Sequence, residues 1–321
     1  MIYVYPGSDH VFQTLMNDAR NVDGIKILDS LFEEQIVENR ILKIRRQHRF
    51  LWRLFAQFVL RHFKLKLDAT LKQENRDSVF IFSNISVRFV PISVLKQIKR
   101  NHSKLVLYFI DSISNVNSKE AFEYAKLKLF DIVYTFDKDD AVKYNMTHFY
   151  TMFSRNFLSF TLENVKYGAI YIGSDKGRYK MLSQFKRKCT HSNIYVNMLN
   201  VTKEQMEMAS FQSNVSIPYK DSLELVIKSN CIIDLVLDPE QSGLSLRTYE
   251  AIAFNKKLIT NNKSIKDFPF YNPKYMFYFE NIDDIDENFI KERMKVDYGY
   301  NDEYSPLAFI NNVKKQLNYA K

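Results

Sequence analysis

The chain has 321 residues, a formal net charge of +9 and two cysteines. This length exceeds the size at which one hydrophobic core usually stops growing, and a hydrophobic content of 46% provides for two packed cores. Cys189 and Cys231 lie in segments that we expect to be buried, which argues against a disulfide framework and favours a reducing cytoplasm. No apolar run has the length of a membrane-spanning helix, and the first residues, MIYVYPGSDH, do not resemble a secretory signal.

The first half of the chain alternates short apolar runs with helical patterns, which predicts a parallel sheet. Strands are predicted at 78–83, 104–110 and 131–136, and residues 2–5 form a further apolar run. Helices are predicted at 94–99, 119–129 and 137–144. The last of these helices begins with the acidic run DKDD, which suits the positive end of a helix dipole.

Residues 40–66 contain nine Lys or Arg residues and no acid, interleaved with aromatic residues. On a helical wheel the apolar and basic side chains fall on opposite sides, which predicts a basic amphipathic helix. Such a helix can lie on an anionic membrane surface, or it can pack on the core with a solvated basic face. The charges also suit nucleic acid, but no recognisable binding module accompanies them, so nucleic acid is not an expected partner.

After a connector at 155–164, a second series of apolar runs and polar helical stretches begins. Its strands are predicted at 168–172, 193–197, 215–218, 232–237 and 257–260, and a terminal helix is predicted at 307–319. Two consecutive series of this kind predict an α/β fold with two Rossmann-like lobes facing across a cleft. We place the first lobe at residues 1–160 and the second at 161–321.

The segment 242–260, SGLSLRTYEAIAFNKKLIT, places a glycine loop and a helix between two apolar runs. Gly243 lets a phosphate approach the backbone N–H groups at the helix start, and the hydroxyls of Ser242 and Ser245 can add further donors. Serine and glycine before a helix are also ordinary capping residues, so the alternative is a surface helix with a plain cap.

Two charged residues of this helix suit a phosphorylated ligand. Arg247, near the helix start, carries a planar cation that can bind two oxygens of a diphosphate. Glu250 follows about one helical turn later, and its carboxylate can accept both hydroxyls of a ribose. On the alternative interpretation, both side chains simply face water.

Segment 242–260, with DIVYTFDKDDAVKYN at 131–145, resembles the bacterial nucleotide-sugar glycosyltransferases of the GT-B type, especially those that assemble surface polysaccharides such as capsules and exopolysaccharides. The resemblance implies that Gly243 and Glu250 bind the donor's diphosphate and ribose, and that the terminal helix crosses back to the first lobe. Many GT-B enzymes carry two glutamates separated by seven residues, whereas Glu240 precedes Glu250 by ten positions. Glu240 therefore does not inherit the first glutamate's role, and the choice between inversion and retention stays open.

Other strand ends of the second lobe add donor-binding candidates. Gly173 and Ser174 end its first strand, and basic residues including Arg178 follow, which either add charge for the phosphates or form an exposed turn. Pro218 and Tyr219 close its third predicted strand, where the resemblance places the nucleobase and a tyrosine ring can stack. The full candidate set is Gly173, Ser174, Arg178, Pro218, Tyr219, Ser242, Gly243, Leu244, Ser245, Arg247, Thr248 and Glu250.

The first lobe has to supply the base that deprotonates the acceptor. Asp9 and His10 lie in the turn-like segment PGSDH after the apolar run 2–5, and Asp111 follows the predicted strand 104–110. Each also suits a structural role, as a helix cap or as polar surface. The six histidines are scattered without zinc-site spacing, so neither a metal nor a cofactor is expected.

These features predict a cytoplasmic, metal-independent glycosyltransferase at the inner face of the cell membrane. The expected donor is a nucleotide diphosphate sugar, with UDP preferred, and the expected acceptor is a glycan or a lipid-linked oligosaccharide. Association with a second copy or with a partner glycosyltransferase is left open. The alternative is a non-catalytic GT-B-like protein that binds a nucleotide sugar or a partner enzyme.

Overall fold

The computed structural model describes residues 1–6, 10–28, 78–90, 92–100, 103–114, 116–155, 165–237 and 242–319. The chain divides into two units, of which the first comprises Met1–Phe149 with Phe309–Lys321 and the second comprises Tyr150–Ala308. The basic amphipathic helix predicted at 40–66, together with Asp9 and Glu240, lies outside the described residues.

The first unit is built on a parallel sheet. The described part of this unit contains the strands β1 (Ile2–Tyr5), β2 (Ile25–Ile27), β3 (Val79–Ser83), β4 (Lys104–Phe109), β5 (Ile132–Thr135) and β6 (Thr147–His148). They lie in the order β2-β1-β3-β4-β5-β6, and each neighbouring pair is parallel. The chain passes from β1 to β2 on one side and continues from β3 on the other, so the strand order reverses between β1 and β3.

Apolar and aromatic residues of these strands form the core of the first unit. The described part of this unit has the helices α1 (His10–Leu15), α2 (Ile92–Arg100), α3 (Val116–Lys126) and α4 (Lys138–Tyr144). Phe80, Phe82 and Leu107 are buried in one cluster together with Leu95 and Ile98 of α2, so the apolar spacing of that helix places one of its faces on the sheet. The expected helices at 94–99, 119–129 and 137–144 are therefore present, shifted by up to three residues.

The terminal helix, Pro306–Gln316, contributes to the first unit from Phe309 onward. The Phe309 ring packs against the rings of Tyr108 and Tyr134 at centroid distances of 4.9 and 5.1 Å. The Tyr134 hydroxyl donates a hydrogen bond to Asn312 Oδ1 at 2.8 Å. The terminal helix thus returns to the first unit, as predicted.

The second unit also contains a parallel sheet. The part of this unit that the structure describes has the strands β7 (Tyr167–Ser174), β8 (Ile194–Leu199), β9 (Ser229–Asp234), β10 (Lys257–Thr260) and β11 (Met276–Tyr278). Their order is β11-β10-β9-β7-β8, with all neighbours parallel. The accompanying helices are α5 (Tyr179–Lys188), α6 (Lys203–Ala209), α7 (Tyr219–Ile227), α8 (Leu246–Ala253) and α9 (Glu287–Lys291). The strand order reverses between β7 and β9.

One predicted strand of the second unit is wrong. Residues 215–218 form no strand: Ser213 makes an isolated bridge to Asn197, Val215 is largely exposed, and Tyr219 begins α7. Pro218 has no backbone N–H for a ladder, and its φ of −54° suits the start of a helix, which is where it stands.

The strand predicted at 232–237 is displaced rather than absent. It begins earlier, at Ser229, and ends at Asp234, because its pairing with β10 stops at the register Thr260↔Asp234. Leu235 and Val236 remain buried beyond that end, which explains why the apolar run continues past the strand. The short edge strands β2, β6 and β11 were not predicted, since two or three residues show no clear alternation.

The predicted α/β fold, with two parallel sheets and interleaved helices, is confirmed. A search of the described residues finds no helix that is both long and apolar enough to cross a membrane.

Candidate functional site

The donor-binding candidates gather at the carboxyl ends of β7 and β9. These are the two strands between which the strand order of the second sheet reverses, and ligands of open α/β sheets bind in the crevice that such a reversal creates. Gly173 lies next to last in β7, and Asp234 is the last residue of β9. The helix α8 follows β9 and begins with Leu246 and Arg247.

Ser245 starts α8 as its N-cap. Its backbone is extended, and its Oγ accepts a hydrogen bond from the backbone N–H of Arg247 at 3.2 Å, as is typical of a serine cap. The same hydroxyl donates to Asp234 Oδ1 at 2.7 Å. The Ser245 hydroxyl therefore donates its hydrogen bond to Asp234, whereas the sequence predicted that it would donate to a ligand.

The Arg247 side chain is held by three contacts. Its guanidinium lies over the Tyr171 ring at 4.8 Å, and Nη2 donates to the carbonyl of Ile172. Nη1 lies 3.8 Å from Asp234 Oδ1. The side chain keeps 23% of its surface exposed, so part of it remains accessible to a ligand.

Gly173 provides the space that the Arg247 guanidinium occupies. A Cβ placed on Gly173 would lie 2.3 Å from Nη2 of Arg247 and 3.3 Å from the Tyr171 hydroxyl. Real Cβ atoms do not approach other atoms to 2.3 Å, so a side chain here would displace the guanidinium. The structure thus connects two predicted candidates, Gly173 and Arg247, that lie far apart in the sequence.

Glu250 lies on α8 one turn beyond Arg247 and is 7% exposed. Burial raises the pKa of its carboxyl to about 7, against the lowering effects of the Arg247 charge and of a hydrogen bond from Tyr219. That hydrogen bond runs from the Tyr219 hydroxyl to Glu250 Oε1 at 2.8 Å. The carboxylate is therefore oriented from within the protein, and it titrates near neutral pH.

Tyr219 has a different position from the one expected. It is the first residue of α7, after Pro218 at the N-cap position, and its hydroxyl contacts Glu250. The sequence predicted a ring at the end of a strand, stacked on a nucleobase. The strand position is wrong, whereas stacking on a nucleobase stays a prediction. The structure brings the Tyr219 hydroxyl to the carboxylate that was predicted to bind the ribose.

Two further donor-binding candidates, Ser174 and Arg178, lie at the end of β7 and in the loop that follows it. Ser174 Oγ accepts a hydrogen bond from Asn200, and Arg178 Nε donates to the Leu235 carbonyl at 2.7 Å. Arg178 therefore ties the loop after β7 to the end of β9.

Four further candidates precede or line α8. The carbonyls of Gly243 and Leu244 accept hydrogen bonds from Asn262 Nδ2 and from Thr151 Oγ1, both at 3.2 Å. Ser242 is half-buried. Thr248 is fully buried, and its Oγ1 has no hydrogen-bond partner among the described residues. The two hydrogen bonds to the carbonyls of Gly243 and Leu244 fix the backbone that leads into α8.

The first unit contains the three candidate bases. Asp111 follows β4 by two residues and is half-buried, and its backbone carbonyl accepts a hydrogen bond from the Ser118 hydroxyl at 3.3 Å. His10 is the first residue of α1, but its side chain, like the whole of Asp9, lies outside the described residues.

The acidic run DKDD has the capping role that the sequence assigned to it. Asp137 caps α4 and accepts hydrogen bonds from the backbone N–H groups of Asp139 and Asp140. Asp140 also accepts from the Ile113 N–H at 2.9 Å. Burial, together with repulsion from Asp137, raises the Asp140 pKa above its ordinary value. Asp140 thus binds the loop that contains Asp111, a connection that the sequence did not indicate.

The sequence did not indicate the two residues of the second unit whose side chains contact Arg247, namely Asp234 and Tyr171. A signal for Asp234 was present, because it is the single acid in the apolar run CIIDLVL, where a charge requires an explanation. Tyr171 gave no such signal, since a tyrosine in a strand is ordinary. The described residues contain no group of three or more His, Cys, Asp or Glu arranged to hold a metal ion.

No protein-family model and no curated protein matches the chain. Solved structures do match. One is a UDP-forming α,α-trehalose-phosphate synthase from Burkholderia xenovorans in complex with glucose-6-phosphate, with a TM-score of 0.55, 10% identity, and coverage of 99% of this chain and 100% of that one. Another is an α-glucosyltransferase in complex with UDP and a 13-mer DNA, with a TM-score of 0.53, 13% identity, and coverage of 99% and 98%. The chain therefore has the fold of the GT-B glycosyltransferases, as predicted.

Proposed function

We propose that this protein is a glycosyltransferase that uses a nucleotide diphosphate sugar, with UDP as the nucleotide, and glycosylates a glycan or lipid-linked acceptor during bacterial surface polysaccharide synthesis. One observation carries the proposal. At the strand reversal of the second sheet, Arg247 presents a fixed, partly exposed cation at the start of α8, and the carboxylate of Glu250 lies one turn later.

This arrangement matches the two polar parts of a nucleotide diphosphate. The partial positive charge at a helix start and a nearby guanidinium both favour an anion, and Arg247 carries its guanidinium in the first turn of α8. Glu250, when ionised, can accept hydrogen bonds from two hydroxyls of a ribose. The Tyr219 hydroxyl bonds to Oε1 of Glu250, so Oε2 does not take part in that hydrogen bond. Solved structures of the same fold include proteins that bind or form UDP, so UDP-sugars are the first donors to test.

The same residues support the transfer step. The bond between the sugar's anomeric carbon and the β-phosphate oxygen breaks, UDP leaves, and the acceptor oxygen bonds to the anomeric carbon and gives up its proton. Arg247 and the start of α8 stabilise the negative charge that develops on the departing diphosphate, and they do so without a metal ion. Asp9, His10 and Asp111 stay the candidate bases, to be distinguished by single substitutions.

The cellular setting is part of the proposal and depends on sequence alone. Residues 40–66 would bring the protein to the anionic inner face of the membrane, where a lipid-linked acceptor is found. Flotation with vesicles of anionic and of neutral lipid tests this, using a variant in which Arg46, Arg49 and Arg53 are replaced by glutamine. If the variant floats as well as the wild type, this basic segment does not recruit the protein.

The proposed activity is tested by incubating the protein with a panel of UDP-sugars and measuring released UDP, with and without glycan acceptors. Arg247→Ala and Glu250→Ala should abolish release. Arg187→Ala and Glu224→Ala, which remove an exposed arginine of α5 and an exposed glutamate of α7, should not. UDP binding without turnover on any acceptor would favour the non-catalytic alternative, and failure to bind any nucleotide diphosphate would refute the proposal.

A further inference from the structure

Asp234 is a carboxylate in a place where packing alone favours an apolar residue. It ends β9 after the buried residues Ile232 and Ile233, and it is 1% exposed. Burial of a carboxylate is costly unless its oxygens are paired, and within the described residues Oδ2 has no hydrogen-bond partner. An uncharged residue would avoid this cost, so the position indicates a function other than stability.

The contacts of Asp234 Oδ1 point to that function. This oxygen accepts the hydroxyl of Ser245, the cap of α8, and lies 3.8 Å from Nη1 of Arg247. Nη2 of the same guanidinium donates a hydrogen bond to the Ile172 carbonyl, and the face of the guanidinium lies on the Tyr171 ring. Asp234 therefore supplies one of three contacts around a long side chain that otherwise has many rotamers.

We propose that Asp234 is a positioning residue for the donor diphosphate, acting through Arg247 and Ser245 rather than by touching the ligand. The inference depends on the proposed function, because it assigns a role within the same site. Asp234 fixes the direction of the guanidinium and the first turn of α8 at once. Both anion-binding elements are then in place before the nucleotide arrives, which avoids the entropy of ordering them on binding.

Electrostatics makes the proposal sharply testable. A buried negative charge beside the binding position of a diphosphate repels that anion. If Asp234 were only a neighbouring charge, its neutralisation would tighten diphosphate binding. If it positions Arg247, neutralisation weakens binding, because the guanidinium loses the contact that orients it. The sign of the change therefore separates the two possibilities.

The test is Asp234→Asn, which keeps the shape of the side chain and an acceptor for the Ser245 hydroxyl while removing the charge. Binding of UDP and of uridine to the full chain is measured by calorimetry or ligand-observed NMR. We expect roughly tenfold weaker UDP binding, because the ion pair that orients the guanidinium is lost, and unchanged uridine binding. Asp286→Asn, which neutralises the carboxylate cap of α9, is the matched control and should leave both affinities unchanged.

A double-substitution cycle distinguishes positioning from general damage. In an Arg247→Ala background, Asp234→Asn should no longer weaken UDP binding, because its route through Arg247 is already removed and only the relief of repulsion, which tightens binding, remains. Unchanged or tighter UDP binding by Asp234→Asn, or an equal loss of uridine binding, would overturn the inference. If the wild-type protein binds no UDP, the proposed function fails, and that result is distinct from a failure of Asp234 alone.

Discussion

Replacement of Gly173 by alanine tests the position of Arg247 without changing Arg247 itself. The new Cβ would lie 2.3 Å from Nη2, so the guanidinium must retreat by about 1 Å to reach an ordinary contact distance of 3.4 Å. It would thereby leave the Ile172 carbonyl that holds it. Because the obstructing atoms are the far end of a flexible side chain, the strand can keep its structure while the arginine moves away.

The size of the effect follows from the interaction that is lost. A hydrogen bond to a charged group contributes about 2 kcal/mol, which corresponds to about thirtyfold weaker binding of UDP. At a UDP concentration of about 100 times the wild-type Kd, the ligand stabilises the wild type by about 2.7 kcal/mol. The same concentration would stabilise Gly173→Ala by only about 0.9 kcal/mol.

Thermal unfolding with and without UDP measures this difference, and direct titration with UDP and uridine checks it. Without ligand, Gly173→Ala should unfold within a few degrees of the wild type, and its uridine affinity should be unchanged. Gly168→Ala in the same strand is the matched control, since its Cβ would meet Ile290 at 3.2 Å and not Arg247. Full UDP affinity in Gly173→Ala would show that the position of Arg247 does not matter for the diphosphate.

Three further outcomes are expected. Glu250→Gln should remove a pH dependence of stability, because a carboxyl whose folded pKa is about 7 rather than 4.5 loses about 3 kcal/mol of stabilisation as the pH rises from 4.5 to 7. Urea unfolding of the wild type and the variant across this pH range should show the difference. Parallel plots of unfolding free energy against pH for the two proteins would contradict it. UDP affinity of the wild type should rise with pH through about 7. Tyr219→Phe should move that rise to higher pH, since the lost hydrogen bond had lowered the Glu250 pKa. An unchanged pH profile in this variant would show that Tyr219 does not affect the titration of Glu250. Asp131→Asn should destabilise the first unit mainly above the lowered pKa of Asp131, where its ionised carboxylate binds Lys99 and the Leu105 N–H. The loss of stability should become smaller in acid, and chemical unfolding across the pH range measures it. A loss of stability that does not depend on pH would refute the explanation by charge.

Part of the candidate site was predictable because its residues are close in sequence. Ser245, Arg247 and Glu250 lie within two turns of one helix, so a local pattern indicates that they share a region. Their partners were not predictable in this way. Ile172 precedes Arg247 by 75 residues, with Tyr171 next to it, and only the pairing of β7 with β9 brings them together. The misplaced strand at 215–218 had the same origin, because a short apolar run does not reveal whether a neighbouring strand is available to pair with it.

The sequence by itself determined the class of the fold and the residues that start α8. Alternating apolar runs and helical patterns require layers of helix on parallel sheet, and a serine followed by a helical pattern caps a helix wherever that helix lies. Only the tertiary structure decided what the charged residues contact. The Arg247 guanidinium lies against Gly173 and beside Asp234, and the Tyr219 hydroxyl binds Glu250. These contacts form because the strand order places distant segments at the carboxyl end of one sheet. Strand order is set by the packing of the whole chain, which no local pattern records.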